Sequence, residues 1–159
     1  MPTCLTHKKF ELKAGTYYRA ADPSRKTDWI PKNPEKAAKY YKIACSDDLT
    51  AMAAIMGEAQ MVHSGESSDN SPFISVALCP LCLRESKDPT VAAIVDGRGY
   101  FCQIILPRKN ESKYPYVFHM SGEGVGAGET ECLVLMPPGE PLSTYVKGYV
   151  TPGYLDSMV

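Results

Sequence analysis

The stretch Gly122-Glu-Gly-Val-Gly-Ala-Gly-Glu-Thr-Glu-Cys-Leu-Val-Leu-Met-Pro-Pro138 admits two incompatible readings. Its first six residues match the G-x-G-x-x-A pattern of a dinucleotide-binding turn. That turn needs a helix opening directly behind it, with the phosphates on the helix N-terminus. Behind these glycines stand only Glu129 to Met136 before Pro137-Pro138 closes the segment. No helix of normal length fits there, and no acid follows in useful context about 20 residues on. The segment therefore reads as a glycine-rich loop feeding a strand over 131–136, which argues against a doubly wound parallel sheet.

Working outward, strands are expected over 15–20, 73–78, 100–106, 116–120 and 144–150, each bounded by Pro, Gly or Asp. Asn33-Pro34-Glu35 reads as an N-cap with proline at the first helical position, and Glu35 and Lys39 follow at i, i+4. Ser46-Asp47-Asp48 opens a longer helix with acids in its first turn, and Leu49, Met52, Ala53, Met56 and Ala59 form its expected core stripe. A short helix is expected from Asp88-Pro89 to Val95, before the Gly97-Arg98-Gly99 turn. Helices early and strands late indicate an α+β protein.

With 159 residues, the chain is sized for a single domain over 1–159. Hydrophobic residues make up 44% and charged residues 22%, which excludes a disordered chain. A net charge of -1 argues against a protein that coats nucleic acid or an anionic membrane. Met1-Pro2-Thr3-Cys4-Leu5 shows no signal-peptide pattern, and no apolar run approaches the ~18 residues of a membrane span, so a soluble chain is expected. Of the six cysteines, only Cys79-Pro-Leu-Cys82 has metal or redox spacing. A zinc site would need a second pair. His63 and Cys102 could complete one, although nothing in the spacing asks for it. The pair reads as structural, and the cysteine usage favours a reducing compartment.

Two carboxylates at i, i+2, Glu129 and Glu131, share one side of an extended segment at the rim of the core. Tyr17-Tyr18-Arg19-Ala20-Ala21 puts an arginine near the end of the first strand, and Ser71-Pro-Phe-Ile-Ser-Val-Ala77 puts Ser75 inside a later one. Arg19 to Ser75 is 56 residues, and Ser75 to Glu131 is again 56. This order resembles the arginine–serine–glutamate class of mono-ADP-ribosyltransferases, the cholera-toxin-like toxins and effectors. The resemblance runs from residue 15 to about 150. The family's Ser-Thr-Ser reads Ser75-Val76-Ala77 here.

The resemblance implies a split β-sandwich with N-terminal helices, and transfer of ADP-ribose from NAD to a protein arginine, without a metal. It implies catalytic roles for Arg19, Ser75, Glu129 and Glu131. Contacts to NAD would come from Tyr18, Arg19, Ala20, Phe73, Ser75 and Glu131, with Phe101 as a further stacking surface; for Tyr18, Phe73 and Phe101 core packing is the plainer role. In this scheme Arg19 faces phosphate or ribose, whereas the plain alternative is a surface pair with Asp22. Ser75 orients Glu131, and Glu129 receives the acceptor's proton. The resemblance also implies export, action in a target-cell cytosol and an inhibitor protein in the producing cell, and it leaves a nucleic-acid acceptor open. NAD glycohydrolysis, with water as acceptor, and a binding module that has lost the chemistry are the alternatives.

Overall fold

A computed structural model describes residues 15–22, 24–63, 70–78, 100–106, 115–120 and 131–150. The CxxC of Cys79 and Cys82, the helix expected from Asp88, the turn at Gly97, the Gly122–Gly128 loop and Glu129 lie outside them.

Side-chain caps set the helices. The Asn33 side chain accepts the Lys36 N–H at 3.1 Å, and proline follows at the first helical position, starting α1 (Pro34–Ala44). Asp48 Oδ1 accepts the N–H groups of Thr50 and Ala51, both at 3.1 Å, and starts α2 (Leu49–His63). The acids expected inside the first turn of α2 thus precede it. Asp47 instead turns the corner at φ 58°, in the left-handed region that Asp tolerates better than most residues. Ser46 belongs to the end of α1, where its hydroxyl donates to the Ile43 carbonyl.

The strands are β1 (Thr16–Ala21), β2 (Ile74–Ala77), β3 (Tyr100–Ile105), β4 (Tyr116–His119), β5 (Glu131–Leu135) and β6 (Val146–Val150). They form one six-stranded antiparallel sheet in the order β4-β5-β2-β1-β3-β6. The protein is α+β: both α-helices among the described residues fall between β1 and β2 in the chain. Six residues of β1 pair with β3, whereas among the described residues β1 meets β2 only at Tyr18↔Ala77. Among the described residues the sheet thus has a narrow waist between its two halves, β4-β5-β2 and β1-β3-β6. Two 3₁₀ turns were not foreseen, Lys26–Trp29 and Leu142–Tyr145.

Alternation along the strands separates two cores. On one face, Tyr17, Ala21, Ile74, Val76, Cys102, Ile104, Cys132 and Val134 pack with Trp29 and Leu142 from the two 3₁₀ turns. The indole N–H of Trp29 donates to the Asp22 carbonyl at 2.9 Å, so this fully buried ring leaves its polar atom satisfied. On the other face, α1 and α2 cover Phe73, Phe118, Leu133 and Leu135 with Ala37, Tyr41, Ile55 and Ala59.

This second core corrects the expected stripe of α2. Leu49 is 83% exposed and Met56 53%, and Ala53 is exposed as well. The buried stripe is Ile55, Ala59 and His63, flanked by the half-buried Met52 and Val62. Both stripes have helical spacing and α2 is apolar nearly all round, so periodicity alone does not choose between them. Its one carboxylate, Glu58, pairs with Lys36 of α1. That bond orients the helix and leaves the outward face uncharged. No helix among the described residues is long and apolar enough to cross a membrane.

Candidate functional site

Glu131 opens β5 directly opposite Ala77, and Ser75 lies two residues earlier on β2, opposite Leu133. Ser75 and Glu131 are therefore diagonal neighbours on one face of the sheet. The Ser75 hydroxyl donates to Glu131 Oε2 at 2.5 Å. The other carboxylate oxygen, Oε1, lies 2.7 Å from His63 Nδ1. The glutamate side chain is 12% exposed and the histidine 3%. A carboxylate oxygen only accepts, so Nδ1 carries a proton, and Nε2 is buried without a hydrogen-bond partner among the described residues.

The packing of α2 delivers this imidazole. Ile55, Ala59 and His63 are spaced i, i+4, i+8, so the stripe that buries the first two against the sheet carries the third to Glu131. His63 is the member of the site that the sequence reading missed, having been weighed only as a metal ligand with Cys102. The available signal was a lone titratable residue ending a buried helical stripe. Cys102 itself lies in the opposite core, its thiol directed at the Ala21 carbonyl at 3.4 Å. Among the described residues no three His, Cys, Asp or Glu side chains converge as a metal ion requires.

The order of contacts defines what the site can do. In a hydrolase of the serine–histidine–acid type, the imidazole touches the serine hydroxyl and removes its proton. Here the carboxylate stands between them, bonded to both. Among the described residues no imidazole touches the Ser75 hydroxyl, which donates instead to Glu131, and each oxygen of Glu131 is oriented by a donor.

Arg19 joins this set through the backbone. Its direct partner on β3 is Cys102, so its side chain leaves the sheet on the face opposite Tyr18, Ser75 and Glu131. From there Nη1 donates to the Ser75 carbonyl at 2.6 Å and Nε to the Asp28 carbonyl at 2.9 Å. The guanidinium carbon lies 6.0 Å from the centroid of the Trp29 ring. Burial pulls its pKa down and Asp28 opposes that. The expected alternative, a surface pair with Asp22, does not form: Asp22 caps the N–H and hydroxyl of Ser24. Arg19 laces the Lys26–Trp29 turn, β1 and β2 together just where the two halves of the sheet meet.

The remaining predicted residues separate by burial. Phe73 is buried beneath the helices, its ring edge-on to Phe118 at 5.8 Å and beside Tyr40 at 6.4 Å. Phe101 is completely buried, and Ala20, opposite it, is half-buried. Tyr18 is buried, on the face of Ser75 and Glu131, and its hydroxyl accepts a hydrogen bond from Gln103 Nε2 at 3.2 Å.

Comparison of the chain with models of known protein families, with curated proteins and with solved structures finds no match.

Proposed function

We propose that the chain is an NAD-dependent mono-ADP-ribosyltransferase of the arginine–serine–glutamate class, with that family's split sheet, acting on protein arginine. The observation that carries this reading is the unbroken set of contacts from Arg19 through Ser75 to Glu131. These residues are spaced by 56 and again by 56 in the chain, the order that the resemblance requires.

The chemistry follows from the hub. When the C1′–N bond of NAD breaks, nicotinamide leaves with the bonding electrons and positive charge grows on the ribose. A carboxylate held beside C1′ stabilises that charge without reorganising, because its donors are already in place. Ser75 and His63 each use one acceptor site of Glu131, so both oxygens keep capacity for a ribose hydroxyl. Arg19 holds β2 against β1 and thereby fixes Ser75. Its guanidinium lies on the face of the sheet opposite Glu131 and is engaged by two carbonyls, so in this reading Arg19 positions Ser75 rather than the ribose. The acceptor guanidinium nitrogen bonds C1′ and gives up a proton, which the resemblance assigns to Glu129. In this reading the chain acts as a toxin or effector, with an inhibitor protein in the producing cell.

Incubation with NAD and agmatine tests the reading by mass spectrometry. ADP-ribosyl-agmatine and free nicotinamide are the expected products. Free ADP-ribose alone, at a rate indifferent to agmatine, would assign the site to NAD hydrolysis instead, and no product at all would leave only binding.

A further inference from the structure

We propose that the outward face of α2 is the surface on which two copies of this chain pair about a twofold axis. Its exposed residues run from Leu49 to Met61, and none of them carries a charge. Leu49 is 83% exposed, Met56 53% and Met61 47%. α1 shows the usual alternative, with Glu35, Lys39 and Lys42 on its own exposed side. A helix apolar nearly all round is one buried on more than one side, and the sheet covers only one side of α2.

The pattern of sizes selects the occupant. Leu49, Ala53, Gly57 and Met61 recur at i, i+4 and form one ridge along the exposed side. Helices packed by such ridges cross at about 50°, so they touch at the crossing point and diverge towards their ends. This ridge is small in the middle and large at both ends, which suits that crossing. It is also its own complement. In an antiparallel pair, a twofold axis at the level of Ile55 sets Ala53 beside the partner's Gly57 and Leu49 beside the partner's Met61.

Gly57 supports this independently. A Cβ built on it would meet nothing within 4 Å, so no contact among the described residues asks for glycine there. Glycine in mid-helix is less favourable than alanine, and the close approach of a second backbone is a use for the space it leaves. Charge selects the antiparallel sense. A twofold axis brings like charges together, and a face without charge meets no such repulsion. Asp47 and Asp48 are exposed just before α2, and antiparallel pairing keeps the two acidic ends apart and sets each helix's positive end towards the partner's negative end. A helix of 15 residues is about 22 Å long and covers less than the roughly 800 Å² per partner of a standard interface, so the pairing is reversible and concentration-dependent.

The test is sedimentation velocity of the full chain from about 1 μM to about 1 mM, with the wild type, Ala53→Glu and Lys39→Glu. Ala53→Glu puts two carboxylates near the twofold axis, whereas Lys39→Glu adds negative charge on the exposed side of α1. The wild type and Lys39→Glu should pass from monomer to dimer across this range, and Ala53→Glu should raise the dissociation constant by at least about tenfold. A wild type that stays monomeric throughout overturns the proposal and leaves the face to a different partner. A dimer that Ala53→Glu leaves intact, or that Lys39→Glu weakens equally, also overturns it, because another surface then joins the copies. Should Ala53→Glu fold poorly by thermal melting, Leu49→Lys takes its place, and dimerisation must then weaken for the proposal to stand.

Discussion

His63 and Glu131, 68 residues apart in the chain, meet at 2.7 Å between Nδ1 and Oε1, at the point where the last turn of α2 reaches the first residue of β5. The bond ties the helical layer to the sheet at the same carboxylate that Ser75 orients from the other side. His63→Ala removes one of the two donors that hold the carboxylate. We expect kcat for nicotinamide release to fall by one to two orders of magnitude, the size of effect seen when a transition-state donor is lost. The KM for NAD should change far less. A raised KM with kcat intact would place His63 in binding rather than in positioning.

Arg19 has a structural task at the waist of the sheet. Arg19→Met leaves the Ser75 and Asp28 carbonyls without their charged donor, which should cost about 2–4 kcal/mol in urea unfolding. Arg19→Lys should recover only part of that, since an ammonium cannot reach both carbonyls with the planar fork of a guanidinium. Unchanged stability in Arg19→Met would overturn this structural task.

The orientation of α2 is checked by two substitutions on its opposite sides. Ile55→Ala empties a fully buried position in the helix–sheet core and should cost about 2–4 kcal/mol. Leu49→Lys alters a residue that is mostly in solvent and should fall within about 0.5 kcal/mol of wild type. The reverse ranking in denaturant midpoints would restore the stripe expected from periodicity.

Burial pushes the Cys102 thiol up to about 11 and the Cys132 thiol up to about 12, against an ordinary value near 9. Their folded values lie above the unfolded ones, so the stability they contribute is complete below about pH 8.5. As pH rises past the unfolded value the unfolded chain loses these protons first, and the folded state loses ground through the window up to about pH 11–12. Unfolding midpoints measured between pH 8 and pH 10.5 should fall, with a limiting slope of about 1.4 kcal/mol per pH unit for each thiol. The fall should be shallower in the Cys102→Ala/Cys132→Ala double variant. An equal slope in the variant would assign the pH dependence to other groups.

Much of the fold was legible because its boundaries are chemical. Asn33-Pro34 caps a helix, and prolines and glycines bracket the strands, so these elements lie within a residue or two of where they were expected, whereas α2 begins at Leu49, behind the acids expected in its first turn. What escaped depends on tertiary docking. The inward side of α2 is set by Ile55 against the sheet and by Glu58 against Lys36, and a helix apolar on nearly every side gives no sign of either. Arg19 stood out in the sequence as a candidate, but its partner did not. The register that brings its guanidinium to the Ser75 carbonyl belongs to a β1/β2 contact between segments 56 residues apart. His63 was illegible for the same reason, since its significance exists only once α2 lies on β5.

The central claim is that Glu131, held by Ser75 and His63, drives the loss of nicotinamide from NAD. Its most direct test is nicotinamide release by the wild type and by Glu131→Gln, with and without agmatine, alongside thermal melting of both. Release that agmatine accelerates in the wild type and that falls by at least about a hundredfold in the variant, with melting little changed, is the predicted result. Release by Glu131→Gln at the wild-type rate, or none by a folded wild type, would contradict the account.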